Sequence, residues 1–99
     1  MTEVGELNEE LDLHLDPELR MLDLVSETGE LSKTVLVTQE YGESEFELTD
    51  EMVDEFGDVY YCLLSFAHEV GIDPDEALET SLEKYRARLG ESGSVGSGE

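Results

Sequence analysis

The sequence predicts an all-α domain, and three observations carry the prediction. Apolar residues recur at the helical spacing between clear start and stop signals. No stretch alternates apolar and polar residues long enough to read as a strand. Each long periodic segment opens on an acid or a threonine, twice with proline directly behind the acid.

Residues 1–15 form an N-terminal segment in which a short helix is expected, with LDLHL (Leu11–Leu15) as its apolar part. The first main helix starts at Asp16-Pro17, where an acid caps and proline takes the first helical position. It runs through LRMLDLVSETGELSKTVLV and gives out before Tyr41-Gly42, and GESEFEL is a polar connection. A second main helix starts near Thr49 or Asp50 and stops at Gly71, a residue suited to the left-handed cap. The third opens on Asp73-Pro74-Asp75-Glu76, which combines a capping acid, an N1 proline and a capping-box acid, and it ends before Gly90. The helical domain is thus expected over 16–89, and the tail 90–99, GESGSVGSGE, has linker composition and is expected to be mobile. Three helices with wide apolar arcs cannot bury all of them in one subunit. The architecture expected is a bundle of three main helices, with a four-helix core completed by oligomerisation.

The charge balance is extreme: 27 acids against 5 bases, a net charge of −22 in 99 residues. Self-repulsion of that size opposes compaction, and at molar salt, where the Debye length falls to about 3 Å, most of it disappears. The composition therefore reads as adaptation to a salt-filled, halophilic cytoplasm. It excludes nucleic-acid polymers and anionic membranes as partners, because no basic stripe exists to meet their phosphates. Cys62 is the only cysteine, so no internal disulfide can form and a reducing compartment fits. The first residues, MTEVGELNEE, lack the basic and apolar regions of a signal peptide, and VYYCLLSFA is too short to cross a bilayer. A cytoplasmic protein is expected.

Two fragments place paired acids beside the apolar face of a helix. SETGEL holds Glu27 and Glu30, and DEFGDVYY holds Glu55 and Asp58. On a helical wheel, Met52, Phe56, Val59, Tyr60, Leu63, Phe66, Ala67 and Val70 fill the apolar arc of the second helix. Glu55 stands at the edge of that arc, and Asp58 falls about 60° further round. In the first helix Met21, Leu24, Val25, Leu31 and Val35 form the arc, Glu27 borders it, and Glu30 lies about 60° beyond. If the helices pack antiparallel, the pairs meet at the seam. Converging carboxylates repel, and a hard divalent cation with oxygen ligands relieves the repulsion; Mg2+ (or Mn2+) suits this role. A chain this acidic also produces such spacings by chance, as Glu6/Glu9 and Glu51/Asp54 show. The position of the two pairs, and the glycines Gly29 and Gly57 inside both helices, favour the metal reading. Those glycines suggest close helix approach or room for a ligand.

The ordered set SETGEL, then EFGDVYYCLLSFAHEVGIDPDEALETSLEKYRAR, resembles the MazG-like nucleoside triphosphate pyrophosphohydrolases over roughly residues 17–89. The matching marks are ExxE at Glu27 and Glu30, ExxD at Glu55 and Asp58, the Gly71-Ile72-Asp73 segment, and the basic end Lys84-Tyr85-Arg86-Ala87-Arg88. Ser26 stands where many members carry a further glutamate, and the chain has no tryptophan. The resemblance implies Mg2+-dependent cleavage of nucleoside triphosphates to monophosphate and pyrophosphate, of a house-cleaning type. It also implies a homodimer or homotetramer with sites at or near subunit contacts.

On this reading Glu27, Glu30, Glu55 and Asp58 are the metal ligands and catalytic acids, one of them orienting or deprotonating the attacking water. Lys33, Lys84 and Arg88 are the candidates for binding substrate phosphate, because bases are so scarce that their positions are informative. The competing account of Lys84 and Arg88 is interaction with the dipole at a helix C-terminus, and Arg86 points elsewhere on the wheel. Tyr60, Tyr61 and Tyr85 read as core or interface, Cys62 as a small buried residue, and no Glu-x-x-His supports a di-iron site. The alternative function is a non-catalytic MazG-like helical interaction module that uses its apolar margin for association.

Overall fold

A computed structural model describes residues 2–92, and these form four α-helices and no strand. Helix α1 spans Glu3–Glu10, α2 Pro17–Thr38, α3 Asp50–Val70 and α4 Pro74–Ser92. The fold class is all-α, as the periodicity predicts. Helix α4 continues through Gly90, and the remainder of the tail expected to be mobile, 93–99, lies outside the described residues.

Local chemistry accounts for most helix ends. Thr2 Oγ1 accepts from the Gly5 N–H at 3.0 Å, and Thr49 Oγ1 accepts from the Met52 N–H at 3.2 Å. Asp73 Oδ1 takes both the Asp75 and Glu76 N–H groups, at 3.0 and 3.1 Å, and so caps α4. Asp16 makes no side-chain cap; its backbone carbonyl takes the Arg20 N–H at 3.1 Å behind Pro17. Gly71 closes α3 in the left-handed region, at φ 81°. LDLHL, expected to be the apolar part of the N-terminal helix, instead lies beyond it. Asp12 turns left-handed at φ 54°, a conformation its short polar side chain tolerates, and the Leu13 N–H folds back to the Asn8 carbonyl at 2.7 Å.

Helices α2 and α3 form an antiparallel hairpin, which is by far the most extensive packing in the chain. A single 3-10 turn at Glu40–Gly42 and an irregular segment over 43–49 connect them. Helix α1 lies on α3 and is fixed there mainly by polar groups. The fully buried Asn8 donates from Nδ2 to Ser65 Oγ at 3.0 Å and accepts at Oδ1 from the Tyr61 hydroxyl at 2.7 Å. Around this network, His68 meets Glu9 at 2.9 Å and His14 meets Glu69 at 3.2 Å.

The apolar core is small: among the described residues only Met52, Cys62 and Ala67 are buried hydrophobics. Half of the arc read as the packed face of α3 is exposed within the subunit, with Phe56 61% and Tyr60 55% exposed. The arc is wider than one neighbouring helix can cover, and α2 covers the Met52–Glu55–Cys62 side of it. Helix α4 leaves the bundle. It makes no extensive contact with another helix, and Leu78, Leu82, Tyr85 and Leu89 line one exposed stripe on it. The radius of gyration, 16.7 Å, reflects this departure; a compact chain of this length has about 13 Å.

Candidate metal centre

The antiparallel register of α2 and α3 brings the two acid pairs to one seam. Glu27, Glu55 and Asp58 each offer a carboxylate oxygen, and the three oxygens lie within 4.8 Å of one another. Glu27 and Glu55 are half-buried against the partner helix, and Asp58 is exposed. Glu30 stands outside this trio but within electrostatic reach of Glu55. Partial burial, and then the negative charges of Asp58, Glu27, Glu30 and Asp54, push the Glu55 carboxyl above the ordinary carboxylate range. Burial and neighbouring like charges thus act in the same direction on this carboxyl. The donor set fits a hard divalent cation: carboxylate oxygens only, converging from two helices, with one side open to water and ligand.

The register continues along the seam in both directions. Two turns after Glu27 on the same face of α2 lies Thr34, and two turns before Asp58 on α3 lies Glu51; the Thr34 hydroxyl donates to Glu51 Oε1 at 3.4 Å. Two turns before Glu27 lies Arg20, which sequence reading passed over. Its side chain is buried at 4% exposure, its Nη2 donates to the Leu13 carbonyl, and its Nε is buried without a partner. Its charge acts on Cys62 in opposition to Asp23, Glu27 and Asp58. The spacing of seven from Glu27 was the available signal for both Arg20 and Thr34.

Cys62 is buried, and burial followed by the negative charges of Asp23 and Glu27 pushes its thiol up, away from thiolate chemistry. The cations expected at phosphate are placed differently from one another. Lys33 lines a recess next to Glu30. Lys84 and Arg88 lie on α4, where Lys84 Nζ stands 5.6 Å and Arg88 Cζ 5.5 Å from the centre of the Tyr85 ring. The subunit thus does not pack the helix bearing Lys84 and Arg88 along the seam. Nor do the two helical glycines mark a close approach of helices within the subunit. A Cβ built at Gly29 or Gly57 meets nothing within 4 Å, so the space beside both is open.

No helix among the described residues is long and apolar enough to cross a membrane. A family model described as the MazG nucleotide pyrophosphohydrolase domain matches residues 1–91. No curated protein and no solved structure gives a significant match.

Proposed function

Because the chain belongs to the MazG nucleotide pyrophosphohydrolase domain family, we propose that it hydrolyses nucleoside triphosphates to monophosphate and pyrophosphate with Mg2+. The observation that carries this reading is the convergence of Glu27, Glu55 and Asp58 from two helices. Phosphoanhydride hydrolysis requires an activated water, neutralised phosphate charge and in-line alignment. Mg2+, or Mn2+ in its place, would supply phosphate neutralisation and a more acidic water. Glu27, Glu55 and Asp58 would hold the cation. Glu30, within electrostatic reach of Glu55, would complete the binding or orient and deprotonate the water. Lys33, on the Glu30 side of the trio, offers its ammonium to a phosphate held at the trio.

Lys84 and Arg88 reach phosphate from a second subunit. The arc Phe56–Tyr60–Leu63 and the α4 stripe Leu78–Leu82–Tyr85–Leu89 are both exposed, and α4 and α3 flank an open apolar cleft of about 420 Å3. Exposed apolar surface of this extent marks an association site. A homodimer or homotetramer would cover it, complete the four-helix core and carry the cations of α4 to a neighbour's seam.

The deciding experiment is pyrophosphate release from a panel of nucleoside triphosphates, with Mg2+ in molar salt, by the wild type and Glu55→Gln. Release by the wild type alone supports the reading. Equal release by both places the chemistry elsewhere. Release by neither leaves the interaction module, for which the same exposed apolar faces would be the working surface.

A further inference from the structure

The seam of α2 and α3 is closed at one end and open at the other. Beyond Glu27 in one direction it is filled by Cys62 and Arg20, both buried, and Arg20 is held by the Leu13 carbonyl of the segment that leads into α2. Beyond Glu30 in the other direction lies a recess of about 200 Å3, lined by Glu30, Lys33, Thr34, Val37, Thr38 and Glu51. Along the seam, a ligand whose phosphates sit on the trio therefore has a recess to extend into at one end, towards the end of α2 and the start of α3, whereas the other end is filled.

The lining indicates which part of a nucleotide fits. A further phosphate inside the recess is disfavoured, since the two carboxylates of Glu30 and Glu51 outnumber the one cation of the lining, Lys33. A nucleobase finds no aromatic ring there, and Val37 is the one apolar residue in the lining. The volume is also below the roughly 300–1,000 Å3 typical of pockets that enclose a whole small ligand. A hydroxylated ring matches better. Ionised Glu51 accepts hydrogen bonds only, and its bond from the Thr34 hydroxyl, at 3.4 Å, is a long contact that leaves most of its capacity available. The Thr38 hydroxyl can donate or accept, and Lys33 donates. We infer that this recess takes the sugar of the nucleotide, that Glu51 accepts from the ribose hydroxyls, and that ribonucleoside triphosphates are thereby preferred to their 2′-deoxy counterparts.

The inference rests on the pyrophosphohydrolase reading, and the test separates the two. Pyrophosphate release is measured for the four ribonucleoside triphosphates and their 2′-deoxy counterparts, on the wild type, Glu51→Ala and Glu55→Gln, with far-UV circular dichroism on each variant. Glu51 is exposed in the first turn of α3, so alanine there keeps the helix. The wild type is expected to favour the ribonucleotide in kcat/KM by about tenfold or more, the worth of a hydrogen bond to a charged acceptor. In Glu51→Ala the ribonucleotide should lose more than the deoxynucleotide, bringing the ratio towards one. A wild-type ratio near one, or a ratio that Glu51→Ala leaves unchanged, overturns the sugar assignment while hydrolysis itself still supports the enzyme. If no triphosphate is hydrolysed, the catalytic reading fails, and calorimetric binding of ATP and dATP with Mg2+ reads the recess directly. A ribonucleotide preference lost in Glu51→Ala upholds the subsite; equal binding, or none, overturns it.

Discussion

Asn8 and Ser65 are both completely buried, and the Asn8 amide donates to the Ser65 hydroxyl at 3.0 Å while accepting from Tyr61. This pair ties the N-terminal helix to α3 where apolar contact is sparse. Replacing Asn8 by alanine leaves Ser65 Oγ and the Tyr61 hydroxyl without their partner. A loss of about 1–3 kcal/mol of stability is expected, read by denaturant unfolding in high salt. Tyr61→Phe removes one bond only and should cost less; an equal or larger loss would show that the network does not act as described.

The open space beside Gly29 and Gly57 gives a prediction with two readouts. Alanine in a helix interior is favoured over glycine by about 1 kcal/mol, and the added Cβ meets nothing within 4 Å. Gly29→Ala and Gly57→Ala should therefore raise the melting temperature of the subunit. Stabilised variants that lose activity or assembly would show that ligand or partner uses the space. Destabilised variants would contradict the local geometry.

The raised Glu55 carboxyl predicts how the metal-free site behaves with pH. A group whose carboxyl is raised on folding contributes stability while protonated, and that contribution is lost as pH rises through its folded value. Above its ordinary value of 4.5, ionised Glu55 is thus a liability, and a divalent cation turns it into an asset. Mg2+ should raise the melting temperature at pH 7 and have little effect near pH 4, by thermal shift. Asp58→Asn should reduce the Mg2+ response, and a response identical to the wild type would remove Asp58 from the centre.

Glu9 titrates in the opposite sense. Its hydrogen bond with His68, and next the charges of His14 and His68, outweigh the cost of partial burial and hold its carboxyl below the ordinary value of 4.5. The attachment of α1 that depends on it is present above that value and is lost as pH falls through the lowered one. Amide exchange in α1 should rise at acid pH before exchange in the α2–α3 hairpin does. Glu9→Gln should flatten that dependence.

Association is tested on α4. Leu82→Glu places a charge in the middle of the exposed stripe without disturbing a packed core. In molar salt the wild type should scatter light as a dimer or tetramer, and Leu82→Glu should shift it towards the monomer. A wild type that stays monomeric at micromolar concentration would refute the assembly.

The start of α4 and both ends of α3 were legible in the sequence because capping is local, whereas α4 runs past Gly90 and α1 stops before LDLHL. Thr49, Gly71 and Asp73 act within four residues of themselves, so reading along the chain suffices. The meeting of the Glu27 and Glu55 helices could be anticipated because each acid pair borders an apolar arc. What could not be read was register and its long-range results. Which residue of α2 faces Glu51 depends on how the hairpin closes through the turn at Glu40–Gly42, where Glu40, Tyr41 and Gly42 all adopt positive φ. Arg20 was missed because a cation in an acidic chain reads as surface, whereas the segment around Leu13 covers it. The apolar arc of α3 was legible, as was the excess of apolar surface over what one subunit can cover, but not which residues of the arc stay open, since periodicity reports a face without saying which part of it a neighbouring helix covers.

The departure of α4 at Gly71 sets up a lever. A single left-handed residue, followed within three positions by Pro74, fixes the direction of the whole helix. At 1.5 Å per residue, Arg88 lies about 21 Å along the axis from Pro74, so a swing of 10° at this joint displaces it by about 4 Å. Side chains must be held to within about 0.5 Å to serve chemistry. The aim of Lys84 and Arg88 is thus geared to the backbone angles of one glycine far from either, and a stiffer or looser joint would retune them without any change in their own surroundings.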